Sequence, residues 1–242
     1  MSCKLVREGR LLRLTLARPD KRNALNAALC HDIAEAVDSA DPRDTGAVFL
    51  DAEGPSFCAG MDLAESLTAD AAVLAEVHDR LFTMGRRAAV PVVAYVQGHA
   101  IAGGTGLVAN AHLVYAAEDA RFGLTELRVN LWPFLIYRAV EDAIGARRTL
   151  AWTLEAGIYD AAAARDAGLV HRIATHAEAL AAARELAERL ADTVGQGMTY
   201  YRGSRVLEHA EAGELAARLR IELMASDGYR QAAVACRDRK KS

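Results

Sequence analysis

Residues 54–63 read GPSFCAGMDL, and residues 98–107 read GHAIAGGTGL. Each puts glycine beside small residues where a chain usually packs bulk. What flanks them decides the fold. GAVFLDA (46–52) precedes the first stretch, and VVAYV (92–96), opened by Pro91, precedes the second. Both are short apolar runs bounded by turn residues, the pattern of a buried strand. The tail GTGLVANA (104–111) reads as the start of a short, tightly packed helix. A strand, a glycine turn and a helix leave free backbone N–H groups at the helix start, and such groups suit an anion or a developing oxyanion. FCAGMDL (57–63) offers another N–H in the loop after a strand.

Outward from the two turns, residues 3–8 and 11–17 alternate apolar and polar around Gly9–Arg10, a hairpin signal. Pro19 and Asp20 then break the strand. Asn26 is placed to cap a helix with Leu29, Ile33, Ala36 and Val37 on one face. Residues 69–87 follow a helical period with Val73, Leu74, Val77, Leu81 and Met84 in line, which leaves His78 in solvent. HLVYAA (112–117) is a strand, RFGLTELRVNLW (121–132) a short strand and turn, 134–154 a helix, and LVHRIA (169–174) a last strand. From residue 176 the pattern is helical only, through 197–209, 213–225 and 227–238. Strand–helix alternation followed by helices predicts an α/β core with a helical C-terminal appendage.

The bulk numbers exclude several classes. The 242 residues carry a net charge of −3, so no basic field points to nucleic acid. Cys3, Cys30, Cys58 and Cys236 are scattered without a CxxC pair, which gives neither a disulfide framework nor a metal site. The N-terminus MSCKLVREGR lacks an apolar core of a signal peptide. No uncharged apolar run reaches the roughly 18 residues of a membrane span. A cytoplasmic protein with no membrane partner is expected.

The glycine turns admit three readings. Glycine can simply let backbones approach. Alternatively, Gly104-x-Gly106-x-x-Ala109 fits a dinucleotide fingerprint, with Glu126 twenty residues past Gly106. That fingerprint should follow its strand directly, and seven residues separate Val96 from Gly104. Third, the two turns together can supply two converging N–H donors, an oxyanion hole in which each donor is worth roughly 2.7–4 kcal/mol of transition-state stabilisation.

RPDKRNALN (18–26), FCAGMDL, GHAIAGGTGL, AAEDARFGLTE (116–126) and DAAAARDAGLVHRI (160–173) occur in an order and spacing that resemble the enoyl-CoA hydratase/isomerase (crotonase) family over about residues 5–240. The resemblance implies an α/β fold of the ClpP/crotonase type. Residues 1–190 would form a spiral of ββα units carrying an acyl-CoA site, and 191–242 a helical oligomerisation region for a homotrimer or hexamer. It implies that the amides of Met61 and Gly103 hold the thioester enolate. Lys21, Ala24, Leu25, Ala59, Gly60, Asp62 and Gly104 would line the CoA groove, with Trp132 and Phe134 as candidate walls of the acyl pocket. CoA enters as the substrate thioester, with no further cofactor and no metal.

Hydration in this family uses two glutamates. One falls at Gly106, where the carboxylate is absent, and the other at Glu126, where it is present. A single carboxylate suits double-bond isomerisation. The family's hydrolases also carry glycine at the first position but add an aspartate after a later proline, and here Phe134 follows Pro133. Leu124, Leu131, Trp132 and Phe134 flank Glu126 in sequence, and an apolar wall would raise its pKa. Without the resemblance, Glu126 would read as a helix-capping glutamate. Cys58 and His99 are the weaker candidates for a nucleophile and base, Asp62 for a backbone cap, Asp119 and Arg121 for a turn pair. The basic tail RDRKKS (237–242) could meet CoA phosphates of a neighbouring subunit. A CoA-binding protein without catalysis and a nucleotide-binding module stand as rival readings.

Overall fold

The computed structural model describes residues 2–189, 191–229 and 231. Strands β1 (Cys3–Glu8) and β2 (Leu11–Leu16) form the antiparallel hairpin, in register from Cys3↔Leu16 to Glu8↔Leu11. Helix α1 (Ala27–Asp38) is capped by Asn26, whose Oδ1 accepts from the Leu29 amide at 3.1 Å. Its buried face carries Leu29, Ile33, Ala36 and Val37, so cap and apolar period agree. In order there follow β3 (Ala47–Ala52), α2 (Leu63–Ser66), α3 (Ala71–Phe82), α4 (Met84–Arg87), β4 (Val92–Val96), β5 (His99–Ile101) and α5 (Gly103–Ala109). Next come β6 (Leu113–Ala116), β7 (Arg121–Gly123), α6 (Phe134–Ile144), α7 (Ala146–Glu155), β8 (Tyr159–Asp160) and α8 (Ala161–Ala167). The described elements end with β9 (Arg172–Ile173), α9 (His176–Glu188), α10 (Ala191–Ser204) and α11 (His209–Ala225).

Six strands form one sheet in the order β1-β2-β3-β4-β6-β9, parallel from β2 onward. A parallel sheet is covered on both faces, which is why β3 and β4 read as unbroken apolar runs. Val48 and Leu50 face the main core with Leu29, Ile33, Leu81 and Leu107. Phe49 alternates to the other face, where Val93 and Tyr95 meet Ala179, Leu180, Ala183 and Ala187 of α9. Small residues at that contact let the helix lie close to the sheet.

A second sheet has the order β5-β7-β8. Each of β3, β4 and β6 is followed by a short extended segment, and these segments stack: Cys58 bridges to Ala100, and Ala100 pairs with Phe122. This stack, which no sequence period displays, brings the two glycine turns into one layer.

The structure departs from the sequence reading at identifiable points. The 134–154 helix is two helices, because Gly145 at φ +83° leaves the helical region between α6 and α7. The buried stripe of α3 is rotated: Leu74, His78, Leu81 and Phe82 turn inward, and Val73 is 55% exposed. Two-residue β8 had no sequence signal, and only Arg172–Ile173 of the 169–174 run is paired. Helices α10 and α11 begin earlier than the patterns at 197 and 213. Most of the 227–238 helix, Cys236 and RDRKKS lie outside the described residues. Among the described residues no helix is long and apolar enough to cross a membrane.

Candidate active site

The two glycine turns touch along their backbones. The Cys58 amide donates to His99 O at 2.9 Å, and the Ile101 amide donates to Cys58 O at 3.0 Å. A methyl group on Gly104 would lie 2.3 Å from the Cys58 carbonyl oxygen, so no larger residue fits. Gly60 sits at φ +95°, and a methyl group there would lie 2.9 Å from Ile101 O and 3.4 Å from the Gly103 nitrogen. Glycine at position 60 thus answers both to a left-handed backbone and to the facing turn.

The amides of Met61 and Gly103 are left over by this pairing. The Leu25 amide donates to Gly60 O at 2.7 Å, and the Asp62 amide to Leu25 O at 2.9 Å. Peptide groups alternate sides along an extended segment, so the Met61 N–H faces away from Leu25. Gly103 is the first residue of α5, and its amide has no intrahelical acceptor. Among the described residues neither amide has a backbone acceptor. Ala102, between the turn and α5, sits at φ 52° and ψ −118°. That conformation costs a non-glycine residue of order 1–3 kcal/mol and is held by its surroundings. Here the Ala102 amide donates to Gly123 O at 2.7 Å.

Thr105 locks the same two elements together. Its buried hydroxyl lies 2.7 Å from Ala100 O and 3.0 Å from Gly123 O, and it accepts from the Gly123 amide at 3.1 Å. Gly123 ends β7, and three residues later Glu126 opens a 3₁₀ turn, Glu126–Val129. Arg128 Nε fixes that turn on Ala156 O at 3.0 Å. The glycine turn and the glutamate are therefore tied through one strand end.

Glu126 is only 8% exposed, and its Oε2 has no hydrogen-bond partner. Burial pushes its carboxyl up to about 7, against a smaller lowering by its own backbone amide. Of the apolar neighbours in sequence, Leu124 is buried, but Leu131 is exposed and Phe134 is 75% exposed. Trp132 is half-buried and stacks on Tyr137 with ring centroids 5.9 Å apart.

Where a second carboxylate would branch from Gly106, the space is filled. A methyl group there would lie 2.4 Å from Ile136 Cγ2, 2.6 Å from Ile136 Cβ and 3.3 Å from Phe82 Cε1. Gly104 and Gly106 are thus both packed directly against protein atoms, so close approach within the fold accounts for both glycines of the dinucleotide fingerprint. Cys58 is fully buried, and burial pushes its thiol up to about 12, while His99 is exposed and meets it through backbone alone. A nucleophile–base pair needs a thiolate within reach of the ring.

The remaining groove candidates surround the first turn. Lys21 and Ala59 are exposed, Ala24 and Asp62 half-buried, and Leu25 buried. Asp62 caps α2, accepts from Arg18 Nη2 at 2.9 Å, and is held below the usual carboxylate range chiefly by that guanidinium. Asp119 and Arg121 do not pair among the described residues; Arg121 Nη1 donates to Ala120 O instead. Arg18, Thr105, Phe82 and Ile136 were not singled out in the sequence, although Arg18 opens the RPDKRNALN run and Thr105 lies inside the GGTG run. His78, expected in solvent, is buried.

With this geometry in hand, the comparisons with known proteins are consistent along the chain. The family model for enoyl-CoA hydratase/isomerase matches residues 7–227. Enoyl-CoA hydratase EchA19 of Mycobacterium tuberculosis is 31% identical over 198 residues, 76% of this chain and 72% of its own. The crystal structure of an enoyl-CoA hydratase from Mycobacterium smegmatis matches with a TM-score of 0.90 at 25% identity, covering 99% of this chain and 97% of that one. A Thermobifida fusca structure in complex with CoA shares the fold, with a TM-score of 0.80 at 24% identity over 93% of each chain. A family model spanning both glycine turns and Glu126, together with relatives matched over most of their length, makes this chain an enzyme of the enoyl-CoA hydratase/isomerase (crotonase) family.

Proposed function

We propose that the enzyme acts on acyl-CoA thioesters and shifts a carbon–carbon double bond from the 3 to the 2 position, with Glu126 as its single proton carrier. The observation that carries this reading is the buried, unpartnered carboxyl of Glu126, raised to about 7. A base tuned toward neutral pH is matched to a weakly acidic carbon. The Glu126 carboxylate takes a proton from C2, and the C–H electron pair runs into the conjugated dienolate. The negative charge rests on the thioester oxygen, against the amides of Met61 and Gly103. The protonated Glu126 then returns its proton to C4, which leaves the double bond at C2–C3. Atoms and charge balance without water.

Ile136 and Phe82 against Gly106 support the choice of one carboxylate over two. The name of the Mycobacterium tuberculosis relative favours the alternative, hydration of a trans-2-enoyl-CoA by Glu126 and water. The conjugated thioester absorbance separates them. Isomerisation raises it from a 3-enoyl-CoA, hydration lowers it from a trans-2-enoyl-CoA, and loss from the conjugated substrate alone would refute the isomerase reading. Binding of both substrates with turnover of neither would mark a CoA-binding protein.

Residues 191–242 would serve self-association into a trimer or hexamer. Val206, Ile221 and Met224 in this region are exposed large apolar side chains, which supports the assignment. Sedimentation of the whole chain tests it.

A further inference from the structure

The α3 histidine stands where the chemistry above gives it no task. His78 is 6% exposed, yet its Nε2 has no hydrogen-bond partner. A buried polar atom left unmatched forfeits its hydration without compensation, so an orphan of this kind calls for an explanation. Its surroundings locate it. The ring lies 5.9 Å, centroid to centroid, from Phe82. The Phe82 ring reaches within 3.3 Å of where side chains would branch from Gly103 and Gly106. The carboxylate of Glu65, in α2 just after the Met61 turn, is near enough to act on the imidazole. Glu65 is itself engaged, accepting from the Ala27 amide at 2.8 Å. His78 is thus near both the element that follows the first turn and the phenyl ring packed against the second. Phe82 thus contacts His78 on one hand and the space beside Gly103 on the other. An acyl group held at the Gly103 amide and running along the Phe82 ring would bring its distal half, not its α- or β-carbon, to His78.

We infer that His78 is a specificity-determining residue of the acyl pocket that hydrogen-bonds an oxygen, hydroxyl or keto, carried in the distal half of the acyl group. The inference rests on the acyl-CoA reading above. Burial lowers the imidazole's pKa and favours its neutral form, which can donate to a carbonyl or accept from a hydroxyl. A site built around a hydrogen bond discriminates strongly against the analogue that lacks the partner, because the site's own polar atom then stays unpaired.

The test compares hexanoyl-CoA with 5-oxohexanoyl-CoA and 6-hydroxyhexanoyl-CoA by calorimetric titration of the full chain, His78→Phe and His78→Gln. The expected result is that at least one oxygenated ligand binds wild type ten-fold or more tightly than hexanoyl-CoA. His78→Phe should erase that preference with hexanoyl-CoA affinity kept, and His78→Gln should restore part of it. The melting temperature of unliganded His78→Phe should equal or exceed that of wild type, since an orphan polar atom has been removed; a merely structural histidine would lower it and weaken all three ligands alike. Equal wild-type affinity for all three ligands, or a preference that survives His78→Phe, overturns the inference and leaves the acyl-CoA reading standing. Failure of wild type to bind any of them overturns both.

Discussion

Two buried carboxylates, Asp51 and Glu126, have surroundings with almost nothing in common. Asp51, in β3 under α9, is surrounded by donors. Arg13 reaches its Oδ2 through Nε at 3.1 Å and Nη2 at 2.6 Å, and His176 Nε2 lies 2.8 Å from the same oxygen. Thr15 donates to Oδ1 at 2.6 Å. Glu126, beside the glycine turns, is equally closed off but has an oxygen with no partner. The difference teaches what burial is for. A carboxylate whose lone pairs are all engaged holds β2, β3 and α9 together and cannot move a proton without breaking the network. One left short of partners destabilises its own charged form, and that raised proton affinity is what acid–base chemistry uses.

The strongest way to break this contrast is to exchange roles by mutation. Glu126→Gln keeps the shape and removes the proton carrier. We expect kcat to fall about 10³-fold, within the range measured for general acid–base catalysis, with thioester affinity unchanged. Steady-state kinetics beside calorimetric binding checks it, and an unaltered kcat would make Glu126 structural. The next largest effect belongs to Asp51→Ala. Removing one member of a buried ionic network leaves Arg13 and His176 uncompensated and costs about 3 kcal/mol, the low end of the usual range because both keep contact with water. Urea unfolding should show that loss while kcat is retained. A drop in turnover with stability intact would reverse the assignment of the two carboxylates.

The contrast also shows what the sequence could and could not disclose. Asn26, the hairpin at Gly9 and the runs before each glycine turn were legible because propensity, period and cap agree locally. Glu126 was legible through the FGLTE run and its neighbours in the resemblance. His78 was not, because Val73 and Leu74 are both apolar and allow two helical stripes, and only packing against α1 and α5 chooses between them. Gly145 was hidden between two good helix formers, since glycine costs a helix interior only about 1 kcal/mol and does not by itself announce a break. Ile136 facing Gly106 joins residues thirty positions apart, a tertiary contact with no local trace. Asp51 was hidden inside an apolar strand, where its four donors come from β2 and α9.

Acid and base sharpen the comparison by a smaller amount. The Glu126 carboxyl has a folded-state value near 7 against an ordinary 4.5. Across that window the folded chain holds a proton that the unfolded chain has released, so this group makes the fold less stable as pH rises and adds nothing further above it. Relative to Glu126→Gln, wild type should lose about 2–3 kcal/mol between pH 5 and 8. Urea titrations of both proteins at those two pH values measure it, and parallel curves would refute the raised value. The same shift predicts that kcat/KM rises with pH through about 7, as the base form fills.

The smallest effect asks why Glu126 has no carboxylate partner. Gly106→Ala adds one methyl group at a point 2.4 Å from Ile136 Cγ2 and 2.6 Å from Ile136 Cβ, so α6 or the isoleucine must shift. Overpacking of this kind costs roughly 1–3 kcal/mol. Alanine recovers about 1 kcal/mol of helix propensity over glycine, which leaves a net loss of about 1 kcal/mol. Ile136→Val keeps Cβ and Cγ2 but removes Cδ1, which gives the side chain room to shift away from residue 106, and should make the two substitutions less than additive, a coupling that a double-mutant cycle reads directly. If Gly106→Ala is neutral alone and additive with Ile136→Val, the wall is soft. Room for a second carboxylate could then be made by repacking alone, and the lone glutamate would owe nothing to Ile136.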